Sequence, residues 1–304
     1  MTESRPLRFA TDALRRARWM ARRALRRQLR IVVEIRWRLG DEIMAIPIYE
    51  GIKRRYPFCH LTVWCNHPDV LLRNPHVDRV VGPDEQPEAM ACDRYILLRG
   101  APRDAFRLDH YARRAGIPAP RTSPRLYYDD WNTAHLSEAK LEHKDFIAVC
   151  TGATWQTKRW PLEHWHALCA SLAAGGNTIV QLGAKDERIA GTHDLLDKTT
   201  VREAARILRS ARLLIACDSG LMHLALAVGT PVLALFGPTD PTILVRENVP
   251  LSVLTNGRDC KGCWNHSSQA MEEGSCPLGI SPCMGTLAVE AALARARELL
   301  GAGP

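Results

Sequence analysis

The stretch Leu213-Leu-Ile-Ala-Cys-Asp-Ser-Gly-Leu-Met-His-Leu-Ala-Leu-Ala-Val-Gly-Thr-Pro-Val-Leu-Ala-Leu-Phe-Gly-Pro-Thr-Asp-Pro241 decides the fold. Leu213–Cys217 is a short apolar run, and a helical run over Leu221–Val228 stops at Gly229. Val232–Phe236 is a second apolar run, closed by Gly237-Pro238. Strand, helix, strand with turn residues at each joint predicts a parallel βαβ unit. In such a unit the polar residues after the first strand, Asp218-Ser219-Gly220, fall at a helix mouth. Free amides and the positive end of the helix dipole make that position a ready anion site. His223 lies one turn further in, as a site residue or as a core histidine satisfied by backbone.

The same grammar runs outward in both directions. Phe146–Cys150 and Thr178–Leu182 read as strands, the latter ending in Gly183, and Pro161–Ala173 as a helix opened by proline. Thr200-x-x-Glu203 is a capping box, starting a helix that runs to about Arg209. The last helix spans about Leu287–Leu300. Upstream, Ile31–Ile35, His60–Cys65, Arg79–Val81 and Tyr95–Leu98 read as strands. Trp37–Gly40 reads as a turn, and Pro47–Arg55 and Leu108–Ala115 as helices. The segment 117–131, with three prolines and little periodicity, breaks the pattern and begins a linker running to about residue 144. The organisation expected is an extension over 1–30, a Rossmann-like domain over 31–130, a linker over 131–144 and a second Rossmann-like domain over 145–304. Ligands of open α/β sheets bind beyond the carboxyl ends of the strands.

Two of those strand ends carry further candidates. Gly40-Asp41 follows the first strand, and Asp41 suits a general base or a helix N-cap. The loop Thr151-Gly-Ala-Thr-Trp-Gln-Thr-Lys-Arg-Trp160 combines small residues, hydroxyls and the cation of Lys158, a candidate phosphate site. It is not a GxxxxGK[ST] loop, and no GxGxxG occurs in the chain, so a standard dinucleotide-binding reading has no support.

Composition bounds the rest. The chain has 304 residues, 46% apolar and 24% charged, which excludes disorder, collagen and coiled coil. No 18-residue apolar run is free of charges and breakers, so no membrane span is expected, nor a signal peptide, since no apolar region follows the basic start. The formal charge of +8 is local: residues 1–30 hold ten arginines against Glu3 and Asp12. Leu14, Ala17, Ala21, Ala24 and Leu25 fall at helical spacing among them, so residues 7–30 read as a basic amphipathic helix. It suits an anionic membrane surface, with a solvated tail as the bland alternative. Nucleic acid is not expected as a partner, because the body has no second basic face. Of ten cysteines, Cys260, Cys263, Cys276 and Cys283 cluster with metal-knuckle spacing. A closed structural zinc or iron site, free thiols and disulfides are the readings in play. A four-sulfur shell would staple the loop 260–283 and leave catalysis alone.

Taken together, RLGDEIMAIP (38–47), RRYPFCHLTVW (54–64), NPHVDRVV (74–81), TGATWQTKRWPLEHW (151–165) and DSGLMHLALAVGTPVLALFGPTDP (218–241) resemble glycosyltransferase family 9, the heptosyltransferases of lipopolysaccharide core assembly. The likeness spans about residues 31–300. It implies a GT-B fold, two Rossmann-like domains facing across a cleft, with the acceptor on the N-terminal one and the nucleotide-sugar on the C-terminal one. It implies inverting transfer of heptose or a related sugar from an ADP-sugar to a lipid-linked saccharide acceptor, with no cofactor for catalysis. Asp41 then matches the base, Thr154 and Lys158 the diphosphate ligands, Asp218 the contact to the donor sugar, and Ser219, Gly220 and His223 the phosphate-binding turn. The location implied is cytoplasmic and peripheral on the inner membrane. A family member that binds nucleotide or a partner without turnover is the alternative. The chain departs from the family's pattern over 184–198, which is short, with Lys185-Asp186 where a nucleoside-binding glutamate is usual and Asp197 in place of a glycine.

Overall fold

A computed structural model describes residues 28–85, 92–100, 105–128, 141, 145–184, 188–246, 249–257, 263, 276 and 282–301. The basic segment 1–27, most of the expected linker, Lys185-Asp186 and Cys260 lie outside them.

The first half builds β1 (Arg30–Ile35), α1 (Leu39–Met44), α2 (Ile46–Arg55), β2 (His60–Cys65), β3 (Arg79–Val81), β4 (Arg94–Leu97) and α3 (Arg107–Ala115). The second builds β5 (Phe146–Cys150), α4 (Leu162–Ala174), β6 (Thr178–Gln181), β7 (His193–Asp194), α5 (Val201–Ser210) and β8 (Leu213–Cys217). It continues with α6 (Gly220–Val228), β9 (Val232–Leu235), β10 (Leu251–Leu254), α7 (Pro282–Gly285) and α8 (Val289–Gly301). The strands form two separate sheets, ordered β3-β2-β1-β4 and β10-β9-β8-β5-β6-β7. Every paired strand runs parallel.

Parallel strands covered on both faces must be apolar throughout. Accordingly β5, β8 and β9 are buried at every position. One buried cluster runs from β1, β2, α2 and α3 to the inner face of the second sheet under α5 and α6. A second fills the opposite face beneath α4 and α8. The joint between the halves is a meeting of helix ends. A Cβ on Gly40 of α1 would come within 2.8 Å of His223 Cδ2, and one on Gly220 of α6 within 3.0 Å of Leu39 Cβ. Side chains at either glycine would push the two walls apart. Arg246, after β9, adds a 2.6 Å ion pair to Asp109 of α3 and lies over the Phe106 ring.

Several expectations need correction. The turn expected over Trp37–Gly40 is half helix, because α1 starts at Leu39. Arg38 holds the N-cap position without a side-chain bond, so Asp41 is not the cap but sits in the first turn. Pro161 precedes α4 as its N-cap residue, while Pro47 is the second residue of α2. Strand β7, in the short 184–198 segment, was not anticipated. The capping box of α5 is complete: Thr200 Oγ1 accepts from Glu203 N, and Glu203 Oε2 accepts from Thr200 N.

Candidate active site

Between the two sheets lies a cleft of about 420 Å³. Asp41, Thr154, Lys158, Asp218, Ser219, Gly220 and His223 all line it, together with Arg38, Trp155, Arg107 and Thr239. The structure therefore brings every candidate of the catalytic and donor-binding set to one place. They arrive there because each follows the carboxyl end of a strand: β1 for Asp41, β5 for Thr154 and Lys158, β8 for Asp218 to His223.

The N-terminal wall is held by Glu42. Its fully buried carboxylate accepts from the amides of Trp37, Asn66 and His67 and faces His67 Nδ1 at 3.0 Å. That ties the loops after β1 and β2 to the first turn of α1. Asp41 is 8% exposed. Its Oδ1 accepts from the Tyr111 hydroxyl at 3.1 Å and lies 3.6 Å from Arg107 Nη1. Arg107 and Tyr111 stand four apart on α3 and so share a face. Burial holds the Asp41 pKa above the usual carboxylate value, against Arg107, the Tyr111 hydrogen bond, Arg38 and Lys158.

The C-terminal wall is built on the loop after β5. Trp160 anchors its end, donating from Nε1 to Leu287 O at 3.0 Å and meeting Trp165 edge to face. Gln181 joins Thr151 to the next loop, donating to Thr151 Oγ1 and accepting from Ile189 N. Lys158 ends a 3₁₀ turn, Gln156–Lys158, with its ammonium 3.9 Å from the Trp155 ring centroid and 2.5 Å from Asp218 Oδ2. Thr239 donates to the same oxygen at 2.7 Å. Burial disfavours the Asp218 anion, but Lys158, His223 and the Thr239 hydroxyl outweigh it and hold its pKa low. Ser219 caps α6, accepting from Met222 N at 3.5 Å. Burial lowers the His223 pKa to about 4, so its imidazole is neutral at pH 7. The backbone bond that would make it a satisfied core histidine is absent among the described residues; its ring faces Gly40 instead. Thr154 is exposed on the lip of the cleft.

Sequence reasoning missed Arg107, Tyr111 and Thr239. The 107/111 spacing on a foreseen helix was the available signal for the first two, and the GPTDP run contained the third. Three of the four clustered cysteines fall among the described residues. Cys283 is buried under the second sheet, Cys263 and Cys276 are half-buried, and Cys260 lies outside the described residues. Among the described residues no three His, Cys, Asp or Glu side chains gather as a metal-binding group.

Two parallel-sheet domains with a charged cleft between their strand ends are the architecture of GT-B proteins. The chain superposes on ADP-heptose LPS heptosyltransferase II of E. coli with a TM-score of 0.69, 18% identity, 90% of this chain and 98% of that one covered. It superposes on the iron-containing dodecameric glycosyltransferase TibC of enterotoxigenic E. coli with a TM-score of 0.75, 18% identity, 90% and 76% covered. In sequence it is 28% identical over 235 residues to lipooligosaccharide heptosyltransferase 2 of Haemophilus influenzae, across 68% of this chain and 65% of that relative. Thus the match spans just under two thirds of the relative's length. The model of glycosyltransferase family 9 (heptosyltransferase) matches residues 103–271. The chain belongs to glycosyltransferase family 9.

Proposed function

We propose that the protein transfers heptose or a related sugar from an ADP-sugar to a lipopolysaccharide-core-type acceptor, with inversion. The observation that carries this reading is the convergence of Asp41 with Lys158 and Asp218 across one cleft. Asp41 is the general base. Its raised pKa keeps it basic enough to take the acceptor hydroxyl proton as that oxygen attacks the anomeric carbon. The bond to the diphosphate breaks from the opposite side, so configuration inverts. Negative charge then grows on the leaving diphosphate, where Lys158, Thr154 and the amides at the start of α6 provide stabilisation. Lys158 exchanges part of its bond to Asp218 for the phosphate, and Asp218 is freed to contact the donor sugar. Catalysis needs no cofactor in this scheme. The adenine base is supported by the bound ADP-D-β-D-heptose of a TibC crystal structure, a fold neighbour.

The acceptor side rests on the N-terminal wall. Among the described residues Arg36, Arg38 and Arg99 lie over the Trp64, Trp155 and Trp37 rings, and Arg38, Trp155 and Trp37 line the cleft. Such a surface suits an anionic, lipid-linked saccharide. The ten arginines of residues 1–30 then hold the enzyme peripherally on the cytoplasmic face of an anionic inner membrane. No helix among the described residues is long and apolar enough to cross a membrane.

Thermal-shift titration with ADP, GDP and UDP, followed by turnover of ADP-heptose by wild type and Asp41→Asn, tests the reading. A ligand at 100 times its Kd adds about 2.7 kcal/mol of stability. ADP-selective stabilisation and turnover lost in the variant are expected. Nucleotide binding without turnover on any acceptor would establish the non-catalytic alternative. We propose separately that the cysteines 260, 263, 276 and 283 hold a structural zinc or iron, although the described thiols do not assemble a site. About one metal per chain by elemental analysis supports this; metal-free protein with four reactive thiols in that run removes it.

A further inference from the structure

Asp41 offers two oxygens, and the fold treats them differently. Tyr111 is 1% exposed, and its hydroxyl donates to Oδ1. Arg107 approaches that same oxygen. Among the described residues Oδ2 has no hydrogen-bond partner, while the residue lines the cleft. Arg107 and Tyr111 come from a helix about seventy residues downstream of Asp41, so this arrangement is a property of the assembled domain. The charged and titratable groups facing Asp41 are Arg107 and Tyr111 on α3, Arg38 before α1, and Lys158 on the 3₁₀ turn. His223 of α6 adds a ring against the adjacent Gly40.

We propose that Tyr111 is a positioning residue for Asp41: its hydroxyl occupies Oδ1 and leaves Oδ2 turned to the cleft as the atom that receives the acceptor proton. The inference rests on Asp41 being the base. In the step, the acceptor O–H proton passes to Oδ2 and the oxygen's electron pair forms the bond to the anomeric carbon. The bond from that carbon to the diphosphate oxygen breaks, and its electrons leave with the nucleotide. Throughout, Tyr111 stays a donor to Oδ1. A phenol in that position favours the carboxylate over the acid and opposes the effect of burial. Tyr111 is therefore both the clamp on the carboxylate plane and a brake on how basic Asp41 becomes. Its own phenol is held protonated by burial first and by the Asp41 anion second, as a permanent donor requires.

The test titrates Asp41 directly, with no substrate. The full chain is labelled with ¹³C at aspartate carboxyls, and the Asp41 signal is assigned from its loss in Asp41→Asn. In Tyr111→Phe the Asp41 pKa should rise by about one unit, the size of one hydrogen bond to a charged group. A fluorotyrosine at position 111, which keeps the shape and is a stronger donor, should lower it. That second variant reads the effect even if Tyr111→Phe folds poorly. An Asp41 titration unmoved in both overturns the inference. The acidic limb of kcat/KM against pH is then compared in the same variants. If the carboxyl pKa moves but the limb does not follow, the role of Asp41 as base fails while its link to Tyr111 stands.

Discussion

Two aspartates face each other across the cleft, and they are opposites. Asp41 and Asp218 are 8% and 6% exposed, so burial disfavours both anions. Yet the first has a raised pKa and the second a lowered one. The difference lies in the partners. Asp218 Oδ2 has an ammonium at 2.5 Å and a hydroxyl at 2.7 Å. Asp41 has a neutral phenol at 3.1 Å and a guanidinium held off at 3.6 Å. Equal burial thus produces one carboxylate inclined to take a proton and one that resists it. This is the division of labour expected when one wall supplies a base and the other an ion-paired anchor.

The sharpest way to break the comparison is to neutralise each aspartate in turn. Asp41→Asn should cut kcat by about 10²–10⁴, the range for a general base, measured by release of nucleoside diphosphate. It should also raise stability near neutral pH, because a buried charge with a raised pKa is a cost to the fold. That cost is present above the folded pKa and fades as pH falls through it, so the variant's advantage should vanish in acid. A lower melting temperature for Asp41→Asn at pH 7 would mean that Arg107 and Tyr111 stabilise the anion more than the geometry indicates.

Asp218→Asn should do the reverse. It strips Lys158 of its buried counterion, and breaking such a pair costs about 3–5 kcal/mol. The Asp218 contribution is complete above the unfolded value of 3.8 and disappears as pH falls through the lower folded pKa. Urea denaturation of wild type and variant should therefore diverge at pH 7 and converge only in strong acid. If Asp218→Asn proved as stable as wild type at pH 7, the ion pair would not be what sets the two aspartates apart.

The spacing of the two walls can be tested without touching a charge. Gly40→Ala places a methyl 2.8 Å from His223 Cδ2, an overpacking worth about 1–3 kcal/mol. With His223→Ala already in place, the same substitution should stabilise by up to about 1 kcal/mol, because alanine is the better helix former. A Gly40→Ala cost unchanged by removal of the imidazole would show that the walls are not held apart at this contact.

How much of this was legible beforehand follows from the range of each interaction. The β8-α6-β9 unit could be placed to within a residue, because apolar runs and the Gly229 stop are local signals. Helix α1 escaped: Leu-Gly-Asp-Glu-Ile-Met is too short to show a helical period. Asp41, Lys158 and Asp218 were found because each follows a strand end. What distinguishes the two aspartates was not, since Tyr111 and Thr239 meet them only after the chain folds. The 184–198 segment departs from the family's pattern, and its short strand β7 pairs with β6 all the same.

That segment supplies a third aspartate as a control. Asp197 is exposed and its backbone sits at φ +54°, the left-handed region that suits glycine. Its cost is therefore conformational, unlike that of either cleft aspartate. Asp197→Gly relieves the strain, while the added freedom of the unfolded chain and the lost attraction to Arg188 offset part of the gain. The net effect should be a stabilisation of a few tenths to about 1 kcal/mol, read as a small rise in melting temperature. A fall in melting temperature would show that the Asp197 side chain secures the loop before α5 by more than its backbone costs.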